Sequence, residues 1–174
     1  MTIRSGGGRP KGRPEAIEVR LARGDDLMGI IGLLTEAEEH HARVAPRFFR
    51  RSSEASVAAV AAERLATARR RDESLFVALR GDALCGLARL LLRDTPPEPA
   101  LAPRRRGYLD ELVVARAARR SGVGRRLVQS ASEWAAGRGA EELLLTVWSE
   151  NRIGQRFYRS LGFAPISAVL GRPL

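Results

Sequence analysis

Apolar and polar residues alternate from Ile17 to Ala22, with Ile17, Val19 and Leu21 set against Glu18 and Arg20, and this predicts a half-buried strand. Gly24 and Asp25 mark a helix start, after which Leu27, Ile30, Ile31 and Leu34 keep helical spacing towards His41. Ser53 to Arg71 reads as an alanine-rich helix capped by Ser53, with Val57, Val60, Ala61 and Leu65 on one side. Leu75 to Arg80 and Ala83 to Arg93 are two strands joined at Gly81 and Asp82, a hairpin turn. Four prolines exclude ladder pairing from Thr95 to Arg106, so this is a loop: a rigid lid or a plain surface connection. A strand is predicted over Tyr108 to Val114 and a helix over 122 to 137. Gly137 and Gly139 end that helix, and Glu141 to Trp148 forms another strand. A helix ending at Gly162 then places Asn151, Gly154 and Tyr158 on one face and Ile153, Phe157 and Leu161 on a neighbouring one. Ala164 to Leu170 is expected as the last strand.

Length adds one constraint: 174 residues make one domain with a sizeable core. Residues 1 to 16 carry four glycines, two prolines and scattered positive charge with almost nothing to bury, and are expected to be a disordered basic leader before a domain spanning 17 to 174. A single cysteine, Cys85, excludes an intramolecular disulfide framework and a cysteine-based zinc cluster, and fits a reducing, cytoplasmic setting. No metal site is expected, since the adjacent His40 and His41 point to different helix faces. No run reaches the roughly 18 apolar residues of a membrane span. Net charge is +10, almost all from arginine, with Lys11 the only lysine. Charge alone would suit a polyanion. There is, however, no aromatic platform or zinc spacing for reading nucleic acid, and arginine is enriched together with alanine throughout.

The chemistry concentrates between Tyr108 and Gln129. Between strand and helix stand Arg119, Arg120, Ser121, Gly122, Val123 and Gly124, two glycines at a helix start behind two fixed positive charges. Free N–H groups at a helix start carry partial positive charge, and glycine lets a phosphate approach the main chain. The join therefore reads as a pyrophosphate seat. A P-loop would need Lys-Ser or Lys-Thr after the glycines, and a dinucleotide fingerprint would need Gly where Leu127 stands.

Arg119, Gly122 and Gly124, set between a strand and a helix, resemble the acetyl-coenzyme A motif of the GNAT superfamily of N-acetyltransferases. The 148 to 163 segment resembles that family's second motif. The resemblance implies an α/β (α+β) single domain, with a mixed, mostly antiparallel central sheet flanked by helices. It also implies acetyl transfer from acetyl-CoA to a primary amine in a ternary complex. Coenzyme contacts are expected from Leu112, Val113 and Val114 on the strand, from Arg119, Arg120, Ser121, Gly122, Val123, Gly124 and Arg125 at the seat, and from Asn151. Tyr158 matches the family tyrosine that faces the coenzyme sulfur and would protonate the leaving thiolate. Homodimers are common in the family and compatible with this chain.

A lysine-like amine must lose its proton before attacking a thioester, at a cost of about 4.6 kcal/mol at pH 7. Asp110 and Glu111 are the candidate bases, and strand alternation allows one of them to face the acceptor. Asp110 is favoured and Glu111 second, both positions being acidic in similar polyamine-type acetyltransferases. The oxyanion would meet a main-chain N–H near Val113 or Val114. Glu36, Glu38 and Glu39 read as an acceptor wall or as a solvated face, and Phe48 and Phe49 as pocket walls or as core packing. A noncatalytic acyl-CoA-binding or sensing domain is the alternative.

Overall fold

The computed structural model describes residues 16–172, so residues 1–15 of the expected leader lie outside the described residues. Among the described residues, five strands form one sheet in the order β1-β2-β3-β4-β5. These are β1 (Ile17–Leu21), β2 (Glu73–Arg80), β3 (Ala83–Asp94), β4 (Arg105–Val114) and β5 (Glu142–Leu144). Every pairing is antiparallel except β4 with β5. Helices α1 (Leu27–Val44) and α2 (Glu54–Thr67) cover one face, and α3 (Val123–Ala136) and α4 (Arg152–Arg159) the other.

The middle strands are buried on both sides, as a sheet between two helical layers requires. Along β2, Leu75 and Val77 join the cluster under α1 and α2, with Ile30, Leu33, Val57 and Ala61. Phe76 and Ala78 join the other, with Leu127, Val128 and Ala131 of α3. This period of two anchors the register, because a slip by one residue would exchange the two cores.

An ion pair with a buried carboxylate fixes the first strand to the start of the first helix. Asp26, only 8% exposed, accepts both Arg20 Nη1 and Nη2, at 2.8 and 2.9 Å, and the Arg23 backbone N–H at 2.7 Å. The Arg20 hydrogen bond holds the Asp26 carboxyl below its usual range, despite burial. A depressed folded pKa contributes stability above the ordinary carboxylate value that is lost as pH falls through the folded pKa. Asp26→Ala is therefore expected to cost about 2 kcal/mol at pH 7. In denaturant melts at falling pH, this difference shrinks below about pH 4.

Three expectations need revision. β4 begins at Arg105, three residues earlier than predicted, because Asp94 pairs with Arg105 and prolongs the hairpin. The loop it closes is tied by Thr95 N donating to Arg104 O at 2.8 Å. It lies at the opposite end of β4 from Arg119, so it is a surface connection and no lid. The strand predicted over 141 to 148 is only three residues long, and 164 to 170 forms no strand. Beyond Tyr108 and Leu144 the parallel ladder stops, so β4 and the chain after β5 diverge. Val169 and Leu170 are almost wholly exposed. Apolar alternation alone cannot specify a ladder where the neighbouring strand has already parted.

Candidate active site

The divergence opens one edge of β4. Ala115 N donates to Cys85 O at 3.0 Å, which turns the Ala115 amide towards β3. By alternation the main-chain groups of Val113 also face β3, and those of Leu112 and Val114 face the opened side. The sequence left Val113 and Val114 equal as oxyanion donors; the ladder favours Val114.

At the C-terminal end of β4, Arg116–Ala118 forms a 3-10 turn and Ser121 Oγ donates to Ala118 O at 2.6 Å. Arg120 then takes φ 64 and Gly122 φ 91. The left-handed turns aim successive amides into a concavity. Among the described residues, the N–H groups of 120 to 125 donate to no backbone acceptor, and the first capping bond of α3 runs from Arg126 N to Gly122 O at 3.1 Å. Six amides at the positive end of a helix form an anion cradle. Its glycines divide the work. Gly122 supplies the positive φ, whereas a Cβ on Gly124 would stand 3.1 Å from Phe157 Cζ. Gly124 thus serves the packing of α4 on α3. Arg119 does not point into the cradle, since its Nε donates to Val114 O at 3.2 Å.

On the α2 side of β4 lies a cluster of charge. The ladder shifts between Arg89 and Leu90, which face Glu111 and Leu109 and leave Asp110 as the extra residue of a β-bulge. The bulge breaks the alternation on which the expectation for this acid pair rested, and each carboxylate pairs with its own arginine. Asp110 Oδ2 accepts Arg89 Nη1 at 2.7 Å, and Glu73 Oε2 accepts Arg89 Nη2 at 3.1 Å. Glu111 Oε1 accepts Arg64 Nε at 3.2 Å, and Arg64 Nη2 stands 3.1 Å from the same oxygen in the ion pair. Its Oε2 is buried without a partner among the described residues. Burial pushes the Glu111 carboxyl above the usual range, with Arg64 opposing the shift and Asp110 adding to it.

Across the sheet, Tyr158 packs between Phe157 and Phe163, with ring centroids at 5.2 and 5.7 Å. Burial pushes its hydroxyl up to about 12. Asn151 Oδ1 caps α4 by accepting Gly154 N at 2.9 Å. Ile153, expected to pack beside Phe157, is exposed.

The acidic residues of the candidate acceptor wall are engaged within the protein, Glu36 at the end of β4 and Glu38 and Glu39 on the α1–α2 connection. Glu36 accepts Arg116 N at 2.8 Å, Glu38 accepts Ser52 N at 2.9 Å, and Glu39 pairs with Arg51 at 3.0 Å. Arg105 and Arg106 pair with Asp72 and Glu142. Arg64 and Arg89 were missed, their partners lying 47 and 21 residues away in sequence. Cys85 is buried and its thiol is pushed up by that burial. Among the described residues there is no group of three metal-ligating side chains, and no helix is long and apolar enough to cross a membrane.

The sequence profile of the acetyltransferase (GNAT) family matches residues 34–163. The chain belongs to the GNAT acetyltransferase family. An uncharacterized N-acetyltransferase of Bacillus subtilis, YobR, is 39% identical over 61 residues, 35% of this chain; the match spans only a quarter (25%) of that relative's length. Among solved structures, a tetramutant of the BH1408 protein of Bacillus halodurans superposes with a TM-score of 0.83 at 23% identity, covering 90% of this chain and 99% of that one. The aminoglycoside N-acetyltransferase AAC(6')-Iy in complex with CoA gives 0.68 at 20% identity, covering 93% and 97%. At such identities these likenesses establish the fold. It is the GNAT fold, a mixed α/β domain with a mostly antiparallel sheet.

Proposed function

We propose that this GNAT member transfers the acetyl group of acetyl-CoA to a primary amine by direct attack in a ternary complex. One observation carries the reading: the strand that leads to the amide cradle also holds, three residues before its last residue Val114, a buried carboxylate oxygen of Glu111 without a partner among the described residues. The cradle suits a pyrophosphate, the opened edge of β4 suits a pantetheine arm, and the carboxylate suits a proton acceptor. The coenzyme complex of the aminoglycoside enzyme supports the same use of the fold.

The amides of 120 to 125 would hold the pyrophosphate, with Arg125 and Arg126 beside them and Arg119 recruited from Val114 O. Arg120, Ser121 and Val123 contribute main chain. Asn151, its oxygen engaged in the cap, would offer its amide N–H groups to the arm. Glu111 takes the proton from the amine, directly or through water. The Asp110 carboxylate is instead matched to Arg89 and holds that guanidinium in place. The amine nitrogen bonds to the acetyl carbon, the oxyanion meets the Val114 N–H, the C–S bond breaks, and the thiolate takes its proton from Tyr158, whose hydroxyl is restored through water by the second proton that the nitrogen sheds as the amide forms.

The reading is tested by following free thiol released from acetyl-CoA across a panel of amines. Amine-dependent release is expected, and Tyr158→Phe should lower kcat by about 10- to 100-fold while leaving coenzyme affinity within a few fold. Because the Tyr158 hydroxyl sits near 12, it stays protonated through neutral pH and adds no limb to the rate profile there. Tight coenzyme binding without release by any amine would sink the transfer reading in favour of a sensing domain.

A further inference from the structure

Phenylalanine, tyrosine and tryptophan make up only 5% of the chain, yet three of these residues meet at one place. Phe48 and Phe49, on the α1–α2 connection, lie with ring centroids 4.6 and 5.1 Å from Trp148, on the chain that leaves β5. His41, near the end of α1, lies 4.8 Å from Phe49. Phe48 remains 56% exposed. An aromatic side chain held against a tryptophan and still half open is a surface built for contact rather than for the core. Its position is specific. Trp148 ends the segment that parts from β4, and Glu36, bonded to Arg116 N, pins α1 beside the end of β4. The rings therefore stand on the Glu111 side of the sheet, at the rim of the opening.

Charge narrows what could bind there. Glu36, Glu38 and Glu39 are occupied by Arg116 N, Ser52 N and Arg51. Arg43 stands near the end of α1 and Arg47 and Arg50 in the connection, and burial lowers the pKa of both histidines, with Arg119 adding to the effect at His40. The face of Phe48 available to a cation already carries the protein's own Arg47, its guanidinium carbon 5.6 Å from the ring centroid. A polycation would thus meet like charge and engaged carboxylates.

We infer that the acceptor is a monoamine bearing an aromatic or large apolar group, seated on Phe48, Phe49 and Trp148, and not a polycation. This rests on the transfer reading for its chemistry, although binding can be measured apart from it. The probes are 2-phenylethylamine as the aromatic monoamine and spermidine and kanamycin as polycations. With acetyl-CoA, 2-phenylethylamine is expected to show a kcat/KM at least about tenfold above either polycation. Phe48→Ala should raise its KM about tenfold with kcat little changed, and circular dichroism should be unaltered because the ring is exposed. Arg47→Ser should improve spermidine.

Binding is read from Trp148 fluorescence in a Trp134→Phe background with coenzyme A present. Saturable quenching by 2-phenylethylamine that Phe48→Ala weakens supports the seat. Such quenching without turnover of any amine would remove the transfer reading and leave the seat standing. Turnover of spermidine or kanamycin in preference to 2-phenylethylamine, or a KM indifferent to Phe48→Ala, would remove the seat and leave transfer standing. Absence of both binding and turnover of the monoamine would overturn the inference.

Discussion

Glu111→Gln is expected to lower kcat by about 10²- to 10⁴-fold near neutral pH, the range for losing a positioned general base. The loss should shrink as pH rises, because an amine already deprotonated in bulk solvent needs no base. A variant-to-wild-type ratio that climbs towards unity as pH approaches the amine's own pKa is the signature; a ratio flat in pH would show that Glu111 is structural. The groups facing this carboxyl are Arg64 from α2, Arg89 from β3 and Asp110 beside it. Arg64 works against the upward push of burial, so Arg64→Gln should move the acid limb of kcat/KM to higher pH. The fold should survive Glu111→Gln, since Arg64 retains Glu63 at 3.0 Å and a carboxyl whose folded pKa is raised gives no stability at neutral pH. Asp110→Asn separates the two acids. It leaves Arg89 with Glu73 alone and should disturb stability more than kcat, the reverse of Glu111→Gln.

Local patterns made the frame of this protein legible. Period-two runs placed β1, β2 and β3, Gly81 and Asp82 placed their hairpin, and Ser53 capped α2 as expected, accepting Ser56 N at 3.2 Å. The cradle was legible because glycines and arginines at a strand-to-helix join announce themselves within six residues. Partnership over long separations was not. Asp110 and Glu111 stand as an adjacent pair whether or not a bulge turns both one way, and no local feature of LDEL reveals that shift. Glu36, Glu38 and Glu39 read as a wall for an amine, but backbone amides at 116 and 52 claim two of them. Phe48 and Trp148 lie a hundred residues apart, and only the divergence of β4 and β5 brings their rings together. Apolar alternation after Ala164 likewise predicted a strand, although the pairing edge it would need ends at Leu144.

Gly86 lies outside every motif, and its replacement should be among the most damaging in the chain. A Cβ there would stand 2.9 Å from Val123 Cγ1, 3.0 Å from Leu127 Cδ1 and 3.0 Å from the Val113 carbonyl oxygen. Val113 O cannot retreat, since Val113 is paired with Leu87 inside the sheet. Val123 and Leu127 belong to the first turns of α3, and both are fully buried. The helix start must therefore yield, and with it the cradle whose amides it carries. Gly86→Val is expected to cost about 3 kcal/mol or more, a fall in Tm of about 6–12 °C for a chain this size. It should also weaken coenzyme A about tenfold by calorimetry, with no substitution in the cradle itself. Val123→Ala removes the nearest clashing atom, so the double variant should recover both stability and affinity relative to Gly86→Val, a non-additivity expected only of groups in direct contact. If Gly86→Val lost stability but kept full coenzyme affinity, the cradle would be held by its own loop rather than by the packing of α3 on β3. That outcome would assign the left-handed turns at Arg120 and Gly122 the whole task of shaping it.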